Sequence, residues 1–249
     1  MIFSITTFAI DGFWSNQVET FSLIMCSTIF LISDETSLSF VCDENFGSGI
    51  LIDRTAVKPS LISSPDKVIL LLGNHDVAYI VPDQKCSGFQ AGMLWDYKDL
   101  FMSNIELFQV AYEYKNYLWT HAGVSMGFYK QYLSQIMKES ETIGQTLNRK
   151  WKESLKEKWM PLFQNSFYRG GSKAIGGPLW ADKQEMVNKL PVGIKQIVGH
   201  TPVMEIKTIY PKQNDLETSV TFTDVLGAVS TRYKKVDPNS SKFYELVVE

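Results

Sequence analysis

Three short runs of strand-forming residues each lead straight into a loop that carries a histidine, and the chain has no other histidines. Lys67–Leu72 (KVILLL) runs into Gly73-Asn74-His75-Asp76. Tyr117–Thr120 (YLWT) runs into His121-Ala122-Gly123. Lys195–Val198 (KQIV), after Gly193-Ile194, runs into Gly199-His200-Thr201-Pro202. In an open α/β sheet the loops at the carboxyl ends of the strands share one rim and build the ligand site. Imidazole is the commonest metal ligand and a common general acid. One histidine after a strand would be read as an ordinary loop or core residue. Three of three at strand ends, each within two residues of a glycine, favour one shared site. Asn74 adds a neutral oxygen donor, and its neighbour His75 points elsewhere, so one residue can hold a cation while the next faces a substrate.

The rest of the chain fits an α/β fold. Helical spacing is read over Trp95–Tyr114 and over the Lys- and Glu-rich stretch Phe128–Trp159. A short helix is expected at Gln184–Leu190, ended by Pro191. Further strands are expected at Glu205–Ile209, Val220–Thr223 and Phe243–Val248, with loops at Pro211–Glu217 and Asp237–Lys242. Strands alternating with helices and closing on β-runs predict an α/β sandwich with a mixed sheet. The 249 residues suit a single domain.

Composition narrows the function classes. Apolar residues make up 45% and charged residues 20%, an ordinary globular balance. A net charge of −3 gives no support to a nucleic-acid-binding surface. The Lys150–Lys158 stretch reads as a solvated helix face, and Trp151 and Trp159 read as packing residues. Three scattered cysteines (Cys26, Cys42, Cys86) form neither a disulfide framework nor a thiolate zinc site. They point to a reducing, cytoplasmic compartment. The longest apolar stretch, Phe21–Ile32, is too short to span a bilayer, and no membrane association is expected.

The first quarter differs from the rest. No Lys or Arg precedes Arg54, while residues 1–53 hold seven acids, so that segment is −7. The remainder is +4, from 24 basic residues against the other 20 acids. Eleven serines fall within residues 1–64. The plain reading is an acidic βα segment; the sharper one is an abnormal history, such as decay or an altered reading frame.

The three histidine loops, in this order, resemble the motifs of the calcineurin-like metallophosphoesterases, near the branch of protein serine/threonine phosphatases and diadenosine tetraphosphatases. Gly73-Asn74-His75-Asp76 is similar to the family's GNH(D/E), His121-Ala122-Gly123 to its HAG or HGG, and Gly199-His200-Thr201-Pro202 to its GHT. The intervals of 47 and 79 residues from Asn74 to His121 to His200 are typical of that branch. Pro178-Leu179-Trp180-Ala181-Asp182 resembles a Leu-Trp segment before the last histidine, and Gly49–Arg54 (GILIDR) resembles GDxxDR. The resemblance implies a four-layered α/β/β/α sandwich with two mixed β-sheets. It also implies a phosphoester hydrolase that uses a metal-activated water, two Mn, Fe or Zn ions and a phosphoprotein or nucleotide substrate. Asn74, His121 and His200 would bind a metal. His75 would be the general acid, with Asp53 orienting its ring. Arg54 would grip the phosphate in a bidentate manner, as a planar guanidinium can. Arg169, in Arg169-Gly170-Gly171, is a second candidate phosphate contact; Arg149 reads as a solvated helix charge.

The resemblance stops short at the N-terminal motifs. The aspartate that should bridge both metals is Ile50, and the first motif, DxHG, lacks its histidine because none precedes His75. Asp11, in Asp11-Gly12-Phe13-Trp14 before a candidate helix Asn16–Met25, ranks first as a remnant metal ligand, and Asp34 second. Residues 1–53 then form a divergent first βαβ unit within a single domain spanning 1–249. A bridging carboxylate offsets the repulsion of two close dications. Its loss predicts a weak second metal and leaves open a catalytically impaired relative that binds phosphate or a partner protein.

Overall fold

The computed structural model describes residues 2–6, 28–33, 68–84, 86–87, 89–211, 216–224 and 244–247. Asp11, Phe13, Asp34, Ile50, Asp53, Arg54 and the candidate helix Asn16–Met25 lie outside the described residues.

Among the described residues the strands form two five-stranded sheets. The first contains β1 (Ile2–Thr6), β2 (Thr28–Ser33), β3 (Val68–Leu71), β4 (Phe108–Gln109) and β10 (Tyr244–Val247), in the order β10-β1-β2-β3-β4. Its pairings are antiparallel except β3 with β4. The second contains β5 (Ala111–Tyr114), β6 (Tyr117–Thr120), β7 (Lys195–Val198), β8 (Lys207–Ile209) and β9 (Ser219–Phe222), in the order β5-β6-β7-β9-β8. Here β6, β7 and β9 run parallel, and β5 and β8 flank them antiparallel. This is a mixed α/β architecture with two sheets, in keeping with the metallophosphoesterase fold.

The central strands are largely hidden on both faces. Leu71 of β3, Trp119 of β6 and Ile197 of β7 are buried together in one cluster, which joins strands of the two sheets. A larger cluster buries Leu118, Phe128, Leu147, Trp151 and Phe163 between the second sheet and its helices. Trp151 is 1% exposed, and both Trp151 and Trp159 pack as expected.

The strands expected from the sequence fall close to their places, whereas the three expected helices do not. The helix expected over Trp95–Tyr114 ends early: α2 is Leu94–Ser103, and its C-terminal Asn104 turns its side-chain amide back to the Leu100 carbonyl at 2.7 Å. Beyond it, the Phe108–Tyr114 segment has β-forming residues and enters β4 and β5. The amphipathic stretch Phe128–Trp159 is likewise broken. A short α3 (Met126–Phe128) continues as a π turn over Tyr129–Leu133, and Ser140 takes a left-handed φ of 67°. Helix α4 (Ile143–Ser154) then starts afresh from a capping box between Thr142 and Gln145. The helix expected at Gln184–Leu190 is the shorter α6 (Lys183–Met186), capped by Asp182; α5 (Met160–Phe163) precedes it.

Candidate metal centre

Each histidine loop follows from its strand. At the end of β3, Leu72-Gly73 leads into α1 (Asn74–Ile80), whose first residues are Asn74 and His75. The wholly buried Asp76 accepts a hydrogen bond from the Gly73 amide at 2.7 Å, which fixes the start of this helix and so the direction of Asn74. His121 directly follows β6, and His200 lies two residues beyond β7. The parallel register Thr120↔Val198 sets the last two elements side by side, and the Gly199 amide donates to the His121 carbonyl at 3.0 Å. Gly123 has φ 105°, and a Cβ there would overlap Met186 Cε, so only glycine suits the turn after His121. His200 itself has φ 63°, a left-handed conformation that costs a non-glycine residue about 1 kcal/mol or more and is found at functional sites.

These loops bring three donor atoms to one point. His121 Nε2 lies 2.8 Å from Asn74 Oδ1 and 2.9 Å from His200 Nδ1. The two imidazoles meet edge to face with centroids 4.7 Å apart, and Trp180 packs edge-on against His200 at 5.9 Å. Asn74 and His121 are buried, at 4% and 2% exposure. A neutral imidazole nitrogen carries either one proton or one lone pair, so His121 Nε2 cannot make a good hydrogen bond to both neighbours at once. Among the described residues, the far ring nitrogens His121 Nδ1 and His200 Nε2 are buried and meet no hydrogen-bond partner. A cation among Asn74 Oδ1, His121 Nε2 and His200 Nδ1 would take one lone pair from each of these three atoms, and imidazole with amide oxygen suits Mn, Fe or Zn.

The electrostatics keep both rings neutral and ready to ligate. Burial pulls the His121 imidazole down to about 3, aided by the nearby positive charges of His75 and Arg169. Burial also holds His200 well below the usual histidine range, with His121, Arg169 and His75 adding to it. His75 is therefore close enough for its charge to be felt by both ligating rings.

Arg169 ends a 3-10 turn over Phe167–Arg169 and is drawn toward this centre. Its Nε is 2.8 Å from Asp182 Oδ2, and its Nη2 donates to Thr201 Oγ1, one residue past His200. Arg149, in contrast, is taken up by Glu141 and Glu153 and by the Ile136 carbonyl, far along α4, as its reading as a helix charge required.

Several supporting residues carry no motif signal. Glu185 accepts from Ser166 Oγ at 2.7 Å, from the Asp182 amide at 3.1 Å and from the Gly176 amide at 2.7 Å. It thereby holds the Arg169 loop against the Asp182 turn. Gln196, wholly buried in β7, accepts from the Val124 amide and donates to the Val124 carbonyl, both at 2.8 Å. A polar side chain inside a central strand is the only sequence signal that marks Gln196.

The model of the calcineurin-like phosphoesterase family matches residues 44–204, and the chain belongs to that family. The match includes Gly49–Arg54 and all three histidine loops, and it leaves Asp11 outside. Neither the curated proteins nor the solved structures contain a match to the chain. Members of this family depend in general on divalent metals. Among the described residues no three His, Cys, Asp or Glu side chains cluster as a metal cage, because the convergent set here is two imidazoles and an amide. Also among the described residues, no helix is long and apolar enough to cross a membrane.

Proposed function

We propose that the chain is a metal-dependent phosphoester hydrolase, acting on a phosphoprotein or a nucleotide-type phosphoester. The observation that carries this is the convergence of Asn74 Oδ1 and His200 Nδ1 on His121 Nε2, at 2.8 and 2.9 Å. These residues would hold the ion; Asp11 is, by sequence, a candidate remnant ligand for the family's other metal. A bound divalent ion would supply Lewis-acid polarisation of the phosphoryl oxygen and lower the pKa of water for in-line attack. The remaining work falls to the chain's own groups. His75, adjacent to Asn74 on α1, is suited to give its proton to the leaving-group oxygen, with Asp53 as its orienting partner. Arg169 is held by Asp182 and Thr201 at the edge of the histidine pair, where its guanidinium can take a phosphate oxygen. Arg54 is proposed as the second phosphate ligand.

Release of phosphate from an aryl phosphate, measured with Mn, Co, Ni, Zn and Fe in turn, tests the reading. Metal-dependent turnover that drops in His75→Ala supports it. No turnover with any of these ions, or a rate unchanged in His75→Ala, removes it. Ile50 and the missing early histidine favour a second reading, a non-catalytic relative that binds phosphate or a partner protein. That reading predicts phosphate binding without turnover in the same experiment.

A further inference from the structure

We propose that Asn74, His121 and His200 form a single-ion site whose charge is balanced by the substrate anion, so that metal and phosphate bind weakly apart and tightly together. The inference rests on the hydrolase reading for its site but concerns the coupling of two ligands, not turnover.

The first argument is the donor set. One amide oxygen and two imidazoles converge, and all three are neutral donors. A carboxylate ligand would cancel part of the charge of a dication; neutral donors leave it whole. The second argument is the supply of ligands. The chain has three histidines in all: two sit in this cluster, and the third, His75, follows Asn74 on α1. No imidazole remains for a neighbouring ion, and Ile50 stands where the resemblance calls for a carboxylate shared between ions.

The third argument is Arg169. Its Nη2 donates to Thr201 Oγ1, next to the ligand His200, and its Nε pairs with Asp182, so the guanidinium is held in place beside the cluster. Asp182 offsets the guanidinium but not an ion bound beside it. A loaded pocket therefore carries an excess of positive charge in a buried setting, where charges interact more strongly than in water. A phosphate dianion supplies the missing negative charge and accepts hydrogen bonds from the guanidinium. Each ligand then raises the affinity for the other by the same factor, as linkage requires.

The test uses the full chain with Co2+ as the metal and inorganic phosphate as the anion. Titration calorimetry and the visible absorption of Co2+ read binding directly, with no turnover needed. The expected result is one Co2+ per chain and an affinity that rises about tenfold or more at saturating phosphate. The affinity for phosphate should rise by the same factor when Co2+ is present. Arg169→Gln should shrink the coupling, and, with one positive charge fewer beside the ion, the affinity for Co2+ alone should stay the same or rise and not fall. Two ions per chain, or the same Co2+ affinity with and without phosphate, would overturn the proposal. These readings come from the unmodified chain, so a variant that fails to fold does not protect the idea. One ion with full coupling but no aryl phosphate hydrolysis supports this inference and removes the hydrolase reading. Hydrolysis with two ions does the reverse.

Discussion

Acidification should unfold this protein through His121, and the size of the effect can be worked out from its burial. The ring is 2% exposed, and its pKa falls to about 3 in the folded chain. In the unfolded chain it takes the ordinary value of about 6.5. The folded pKa is the lower one, so below pH 6.5 the unfolded state binds the extra proton. Stability is then fully present above pH 6.5 and is lost as the pH falls toward 3. Between pH 7.5 and pH 5 this single imidazole removes about 2 kcal/mol of stability. His200 shifts in the same direction and adds to the loss. Urea melts in EDTA at pH 7.5, 6 and 5 measure it, on the wild type and on His121→Leu. The variant should lose about 2 kcal/mol less than the wild type over that interval, whatever its starting stability. Parallel losses in the two proteins would refute the reasoning, as would a wild type whose midpoint does not move. Saturating Co2+ should raise stability at pH 7.5 and steepen the fall, because the imidazoles hold an ion only when neutral.

Other substitutions test the supports of the site and the core. Gln196→Leu removes both hydrogen bonds to Val124 and leaves its amide and carbonyl unpaired in the interior. It should cost about 2–4 kcal/mol in thermal melts and weaken Co2+ binding through His121, whereas an unchanged melt would show that the pairing is idle. Gly171→Ala would set a Cβ against the Asn165 carbonyl oxygen and displace the turn that carries Arg169. The expected outcome is weaker binding of phosphate to the Co2+-loaded chain, with the affinity for Co2+ alone retained. Trp151→Ala empties the largest position of the α4 face and should lower stability by about 3–5 kcal/mol in urea, with Co2+ binding by the folded fraction retained.

The histidine loops were legible because each element was local. A β-run followed by glycine and histidine is a short pattern, and the three strands fall within a residue or two of where the pattern puts them. Their convergence depends on the parallel pairing of β6 with β7, which a rule about strand ends anticipates. The helices were read too long for a different reason. Apolar spacing does not register the side chains that bound a helix: Asn104 closes α2 and Thr142 opens α4, each through a hydrogen bond. Gln196 and the tie from Thr201 to Arg169 escaped because their partners lie far along the chain: Gln196 meets Val124 across 72 residues and Thr201 meets Arg169 across 32. No window of sequence holds such a pair.

The three donor atoms do not come from one sheet. His121 and His200 stand at the ends of neighbouring strands of one layer, and Asn74 stands beyond β3 of the other. An ion gripped by all three would therefore act as a clasp across the seam between the layers. Amide exchange in β3 and in β6 should slow together when the clasp is shut, and the two layers would part more readily once a chelator opens it.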